Sequence, residues 1–80
     1  MTGSDGGERR RRARDQLVRL TEREREVAVA IGRGKSNAEI SRDLYMSIAT
    51  VKAHVSRLLE KFEFNNRVQI ALLAHDAGEA

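Results

Sequence analysis

His54 and His75 are the only two histidines in this 80-residue chain, and it contains no cysteine. They belong to different helical segments, and no carboxylate pair, glycine-rich phosphate loop or nucleophile motif accompanies them. Neither catalysis nor a metal site is therefore expected, and no cofactor is implied. Without cysteine, a disulfide framework and a thiolate metal site are both excluded. The remaining chemistry is recognition by cations and short polar side chains, and these gather in the stretch SIATVKAHVSRLLEKF, residues 47–62.

Wound at about 100° per residue, that stretch stacks Val51, Val55, Leu58 and Phe62 on one side. The opposite side carries Ala49, Lys52, Ala53, Ser56 and Arg57. A purely solvated face would ordinarily be filled with long Glu, Lys and Gln side chains. A face of short side chains with two cations instead suits close approach to a large polyanion. In a helix-turn-helix the second helix enters the major groove, where bulk would hold the duplex away. Lys52 and Arg57 can then reach guanine edges or phosphates. Thr50, His54 and Lys61 lie on the flank where phosphates would run, and the helix dipole at Ser47 adds partial positive charge.

The elements that must position this face are all helical. LTEREREVAVAIGR, residues 20–33, opens with Thr21 and Glu24 in capping-box spacing; Leu20, Val27, Ala28 and Ile31 form its inward stripe. Gly34 suits the left-handed position that ends this helix better than Gly32 does. SNAEISRDLY repeats the device with Ser36 and Glu39, and its burial candidates are Ala38, Ile40 and Leu44. After a short connection without glycine or proline, Ser47 caps the third helix. Two helices so spaced, the second longer, form a helix-turn-helix. Asn65 or Asn66 then caps a fourth helix ended by Gly78.

Composition sets the bounds. No strand signal is present, and no apolar run approaches the ~20 residues that span a bilayer. No signal peptide is evident, so the default expectation is a soluble, cytoplasmic protein with no membrane partner. Residues 1–16 contain no Leu, Ile, Val or aromatic residue, and five of them are arginines against three acids. They read as a disordered basic arm or interdomain linker, followed by one domain over residues 17–80. The whole chain carries net charge +3, but the domain holds ten cations against nine anions. Nucleic-acid binding must therefore rest on where the charges sit. The basic arm could add phosphate or minor-groove contacts.

The segments LTEREREV, GKSNAEIS, SIATVKAHVSRLLEKF and NRVQIALLAHDAG, in that order and spacing, resemble the LuxR-type helix-turn-helix found at the C-terminus of NarL/FixJ response regulators. The resemblance runs from about Leu20 to Gly78. It implies an all-α four-helix bundle that binds double-stranded DNA, with the third helix in the major groove and the fourth dimerising over two-fold related half-sites. Lys52 would contact bases together with Ala49, Ala53 and Ser56. Thr50, His54 and Arg57 would fall among base-edge or phosphate contacts, and Asn37 and Ser47 would anchor the DNA backbone. RNA polymerase is a further partner for such a regulator.

The chain departs from the family pattern at several positions. Ile48 stands where an acid is usual, Ala28 where leucine is frequent, and Ser41 where alanine is usual in the tight contact between the second and third helices. Glu63 replaces the glycine that commonly precedes the fourth helix; it must avoid a left-handed conformation or adopt it at a cost of ~1 kcal/mol. With so few hydrogen-bonding groups beside Lys52, base readout rests on that residue and DNA shape.

The fourth helix has two apolar stripes. Ile70, Leu73, Ala74 and Ala77 suffice for a core; Val68, Ala71, Leu72 and His75 form a second stripe, the expected dimer seam. A receiver domain would need over a hundred further residues, so the chain reads as an excised effector domain or a free-standing regulator. Two alternatives stay open: a sigma-factor promoter-reading region, which ordinarily lacks such a fourth helix, and a protein-interaction adaptor that does not touch DNA.

Overall fold

The computed structural model describes residues 2–80, with side chains from Gly7 onward; Met1 of the expected arm lies outside the described residues. Five helices follow in order: α1 (Thr2–Val18), α2 (Glu22–Gly32), α3 (Asn37–Leu44), α4 (Ile48–Phe62) and α5 (Arg67–Asp76). The described residues contain no strand. The bundle expected from the sequence is α2–α5, and the helix-turn-helix is α3 and α4.

Helix α1 corrects the expected disordered arm. Its run of Arg, Glu and Ala favours helix, and Ala13 and Leu17, one turn apart, are both buried. They dock against α5, and Arg14 Nε donates to the Ala77 carbonyl (3.2 Å). Leu17 stands just beyond the stretch that lacks large aliphatic residues, so the arm viewed alone showed no apolar face.

The core of the bundle is small. Val27, Ile40, Val51, Leu58 and Ile70 have the largest fully buried side chains, and α2 packs most extensively against α5. Each such aliphatic contributes roughly 1.5–3 kcal/mol by leaving water. The expected stripe of α2 is buried as a set, and Glu24 is buried beside it. In α3, Ile40 is buried and Leu44 is half-buried, but Ala38 is exposed. It lies about 200° around the helix from Ile40, on the solvent side.

Helix boundaries follow local capping chemistry. Thr21, Ser36 and Asn66 each form a reciprocal capping box, with Glu24, Glu39 and Gln69 respectively. At α4, Ser47 accepts from the Thr50 amide (3.0 Å), but residue N3 is Thr50, whose hydroxyl pairs with Ser47 Oγ (2.9 Å). Gly34 takes the left-handed conformation after α2, with φ +78°. Gly32 matters for closeness instead: a Cβ there would stand 2.7 Å from that of Ala80 and 2.8 Å from that of Ala74.

Two non-glycine residues also adopt left-handed backbone. Tyr45 ends α3 at φ 55°, ψ 49°, and Glu63 ends α4 at φ 55°, ψ 41°. Glu63 therefore adopts the strained conformation rather than avoiding it. At Tyr45 the turn is held by Ser41: its backbone carbonyl accepts from the Met46 amide (3.0 Å), and its hydroxyl donates to the Met46 carbonyl. The serine that departs from the family pattern thus closes the turn of the helix-turn-helix.

Candidate nucleic-acid interface

Helix α4 is amphipathic in the manner expected. Val51 and Leu58 are fully buried, with Val55, Leu59 and Phe62 packed against the core. Ser47, Ala49, Thr50, Lys52, Ala53, Ser56 and Arg57 are all exposed. The helix therefore presents Lys52 among short side chains, with Arg57 and Thr50 toward one edge.

Three of the expected contact residues are engaged or partly buried within the chain. Lys61 lies about 180° around the helix from Lys52. Its Nζ donates to Glu24 Oε1 at 3.2 Å, tying the last turn of α4 to the first turn of α2. It stands on the expected flank with Thr50 and His54, its side chain 42% exposed and its ammonium engaged by Glu24. His54 is half-buried on the flank, and its Nδ1 is buried without a hydrogen-bond partner among the described residues. Only the other edge of the ring can meet a ligand. Asn37, half-buried at the first position of α3, accepts from Arg67 Nη1 through Oδ1 (2.7 Å).

Two residues at or beside the site were not singled out from the sequence. Glu60 is exposed and stands one turn beyond Ser56 on the same face, so the C-terminal end of that face is negative. Its i, i+4 spacing from Ser56 was readable. Arg67, at the start of α5, donates through Nη2 to the Lys35 carbonyl (3.1 Å) as well as to Asn37. A contact across some thirty residues has no local sequence signal.

The carboxylates around the helix-turn-helix are held ionised by their neighbours. The Thr21 amide is the main cause that keeps Glu24 below the usual carboxylate range; burial opposes it, and Lys61 assists. The Ser36 amide lowers Glu39 in the same way, and hydrogen bonding from Lys35 lowers Asp43. Lys35 is thus paired with Asp43 across the entry to α3, leaving Lys52 and Arg57 as the free cations of the α4 surface.

The second stripe of α5 is open. Val68 is 61% exposed and Leu72 56%, whereas Ile70, Leu73, Ala74 and Ala77 are buried. Ala71 packs partly against the core. His75 is exposed, but its Nε2 donates to the Gly32 carbonyl (2.7 Å), capping the end of α2 within its own chain. The two stripes separate as expected, with His75 partly committed to the fold.

This arrangement of helices matches a described family. Residues 18–74 fit the one described as "Bacterial regulatory proteins, luxR family". The chain belongs to this family. Its luxR-family relatives include the uncharacterized transcriptional regulatory protein YhcZ of Bacillus subtilis, 48% identical over 61 residues, 76% of this chain and 28% of that protein. The transcriptional regulatory protein LiaR of the same organism is 43% identical over 56 residues, 70% of this chain and 26% of that protein. The response regulator protein VraR of Staphylococcus aureus is 46% identical over 55 residues, 69% of this chain and 26% of that protein. The match thus spans about a quarter of each relative's length. Family membership makes the chain a DNA-binding domain of transcriptional regulation. Among the described residues no helix is long and apolar enough to cross a membrane.

Proposed function

We propose that this chain reads double-stranded DNA with the N-terminal three turns of α4 in the major groove, and that Lys52 supplies the main base contact. The observation that carries this reading is the exposed face of Ala49, Lys52, Ala53 and Ser56, backed by the fully buried Val51 and Leu58. Short side chains let the helix approach base edges, and a lysine can bond guanine O6 and N7. Glu60 argues for the direction of entry. A carboxylate near phosphates is repelled, so its end of the helix leaves the groove while the Ser47 end enters it.

Thr50, Ser56 and Arg57 serve backbone or base-edge contacts, with Asn37 and Ser47 as backbone anchors and the free edge of His54 at the flank. Val68, Leu72 and Ala71 form a two-fold seam, bordered by His75, that pairs two copies on adjacent half-sites. The response-regulator relative supports a role as the output domain of a two-component system. RNA polymerase is the partner to test at the promoter.

Selection of bound sites from a random DNA pool tests the reading, since it yields both a preferred sequence and a half-site spacing. Lys52→Ala should cost the selected site about 1–3 kcal/mol while leaving random DNA nearly unaffected. Equal losses on both would make Lys52 a phosphate contact, and enrichment of no sequence at all would refute base readout.

A further inference from the structure

The guanidinium of Arg67 bridges two groups on either side of the α3 cap. Nη1 donates to Asn37 Oδ1 (2.7 Å) and Nη2 to the Lys35 carbonyl (3.1 Å). Arginine has only donors, so the end of the Asn37 carboxamide that faces it must be the oxygen. The amide nitrogen is thereby turned the other way. That Nδ2 donates to no protein group among the described residues, and it is not sealed from solvent. Asn37 would otherwise be free to flip, presenting an acceptor as often as a donor. A phosphate accepts only from the donor.

We propose that Arg67 is a positioning residue for DNA binding: by fixing the Asn37 carboxamide it presents Nδ2 to a backbone phosphate beside α3. This rests on the DNA-binding reading above and assigns Arg67 an indirect part in it. Arg67 is the first residue of α5 and precedes Val68, so the clamp also ties the start of the seam helix to the start of the helix-turn-helix. The positive charge of Arg67 is half-buried and engaged internally. It therefore acts through the neutral amide of Asn37 and adds no cation of its own to the phosphates.

The distinction is measurable in the salt dependence. A cation withdrawn from a phosphate lowers the salt slope by about 0.9, whereas loss of a neutral donor leaves the slope unchanged. Binding of the full chain to a mixed-sequence duplex is titrated at several salt concentrations, with melting curves for each variant. Arg67→Ala should weaken binding about 2-fold, because the freed carboxamide still presents Nδ2 half of the time, at constant salt slope. Asn37→Ala removes the donor altogether and should weaken binding about 10-fold or more, and the double variant should lose no more than Asn37→Ala alone. Asn37→Asp keeps the acceptor for Arg67 and removes the donor, so it should fold at least as well as wild type and still lose binding. That loss reports on the Asn37 donor alone, so Arg67→Lys, which keeps the charge but lacks the planar fork that holds both partners, stands in if Arg67→Ala fails to fold and should weaken binding by a similar factor.

Additive losses in the double variant, a slope lowered by about one for Arg67→Ala, or full binding by Asn37→Asp would each overturn the proposal while leaving DNA binding intact. A wild-type chain that binds no duplex would overturn the DNA-binding reading, and this inference with it.

Discussion

Leu72 and Leu73 are adjacent in sequence, and α5 assigns them opposite environments: Leu72 is 56% exposed and Leu73 only 6%. Leu73→Glu gives up roughly 1.5–3 kcal/mol of burial and places a carboxylate in an apolar core, at a further cost of several kcal/mol unless it takes up a proton. A small domain has total stability toward the low end of about 5–15 kcal/mol, so this variant should be unfolded at room temperature. Leu72→Glu changes a surface position and should alter stability by about 0.5 kcal/mol or less. Its effect should appear on a two-fold DNA site. Burying the exposed half of one leucine is worth about 1 kcal/mol, hence about 2 kcal/mol for the two copies. Removing it should weaken full-site binding roughly 30-fold, with half-site binding little changed. On the proposed two-fold site the DNA would hold both copies close, so a seam too small to sustain a free dimer would still count there. Circular-dichroism melts and parallel titrations on half-site and full-site duplexes measure all of this. The reasoning fails if Leu72→Glu melts like Leu73→Glu, or if it weakens half-site and full-site binding equally.

Glu24→Gln keeps the capping geometry of α2 but removes the charge that holds Lys61, which should cost about 1 kcal/mol at neutral pH. The folded-state pKa of Glu24 lies below its ordinary value, so its contribution is complete above the unfolded pKa of about 4.3 and disappears as pH falls through the folded value. Melting curves of wild type and Glu24→Gln should therefore differ most near pH 7 and converge in acid; a constant gap would show that the charge is irrelevant. Glu63→Gly relieves a left-handed conformation worth about 1–2 kcal/mol and gives back about 0.5–1 kcal/mol in chain entropy, so a modest rise in Tm is expected. Removing residues 1–14 deletes buried Ala13 and the Arg14 bond to Ala77. The loss of about 1 kcal/mol should lower Tm by about 4–8 °C. The salt slope of DNA binding should fall by about 0.9 for every α1 arginine that meets a phosphate, and an unchanged slope would confine α1 to the fold.

What could be read from the sequence was local. Thr21 with Glu24, and Ser36 with Glu39, declare their helix starts within one turn, and Gly34 declares a stop. The α5 stripes separate because alternate faces of one helix can be counted without knowing any partner. Readings failed where a partner lay elsewhere in the chain. Lys61 looked like a free cation because Glu24, its partner, is 37 residues away. Helix α1 looked disordered because its two buried residues gain an apolar environment only when α5 is already in place. Tyr45 carries no signal of a left-handed turn; Ser41 imposes it through two contacts with Met46. Ala38 failed for a different reason, since its position on the wheel already set it opposite Ile40. Within the proposed DNA-binding face, the exposed positions of α4 were legible from periodicity, whereas the orientation of the Asn37 amide depended on a guanidinium thirty residues downstream.

The capping side chains at Thr21, Ser36, Ser47 and Asn66 have a kinetic consequence. Each marks where a helix begins through contacts within three residues, so these boundaries can form in the unfolded ensemble before any distant contact exists. The search that remains is the docking of short segments, chiefly α5 onto α2. A helical topology of this kind places refolding in the microsecond-to-millisecond range. The chain contains no proline, so no isomerisation phase of tens of seconds should follow, and a denaturant jump should relax in one exponential. A domain built this way would regain its folded surface within about a millisecond of any thermal opening, far faster than such openings occur.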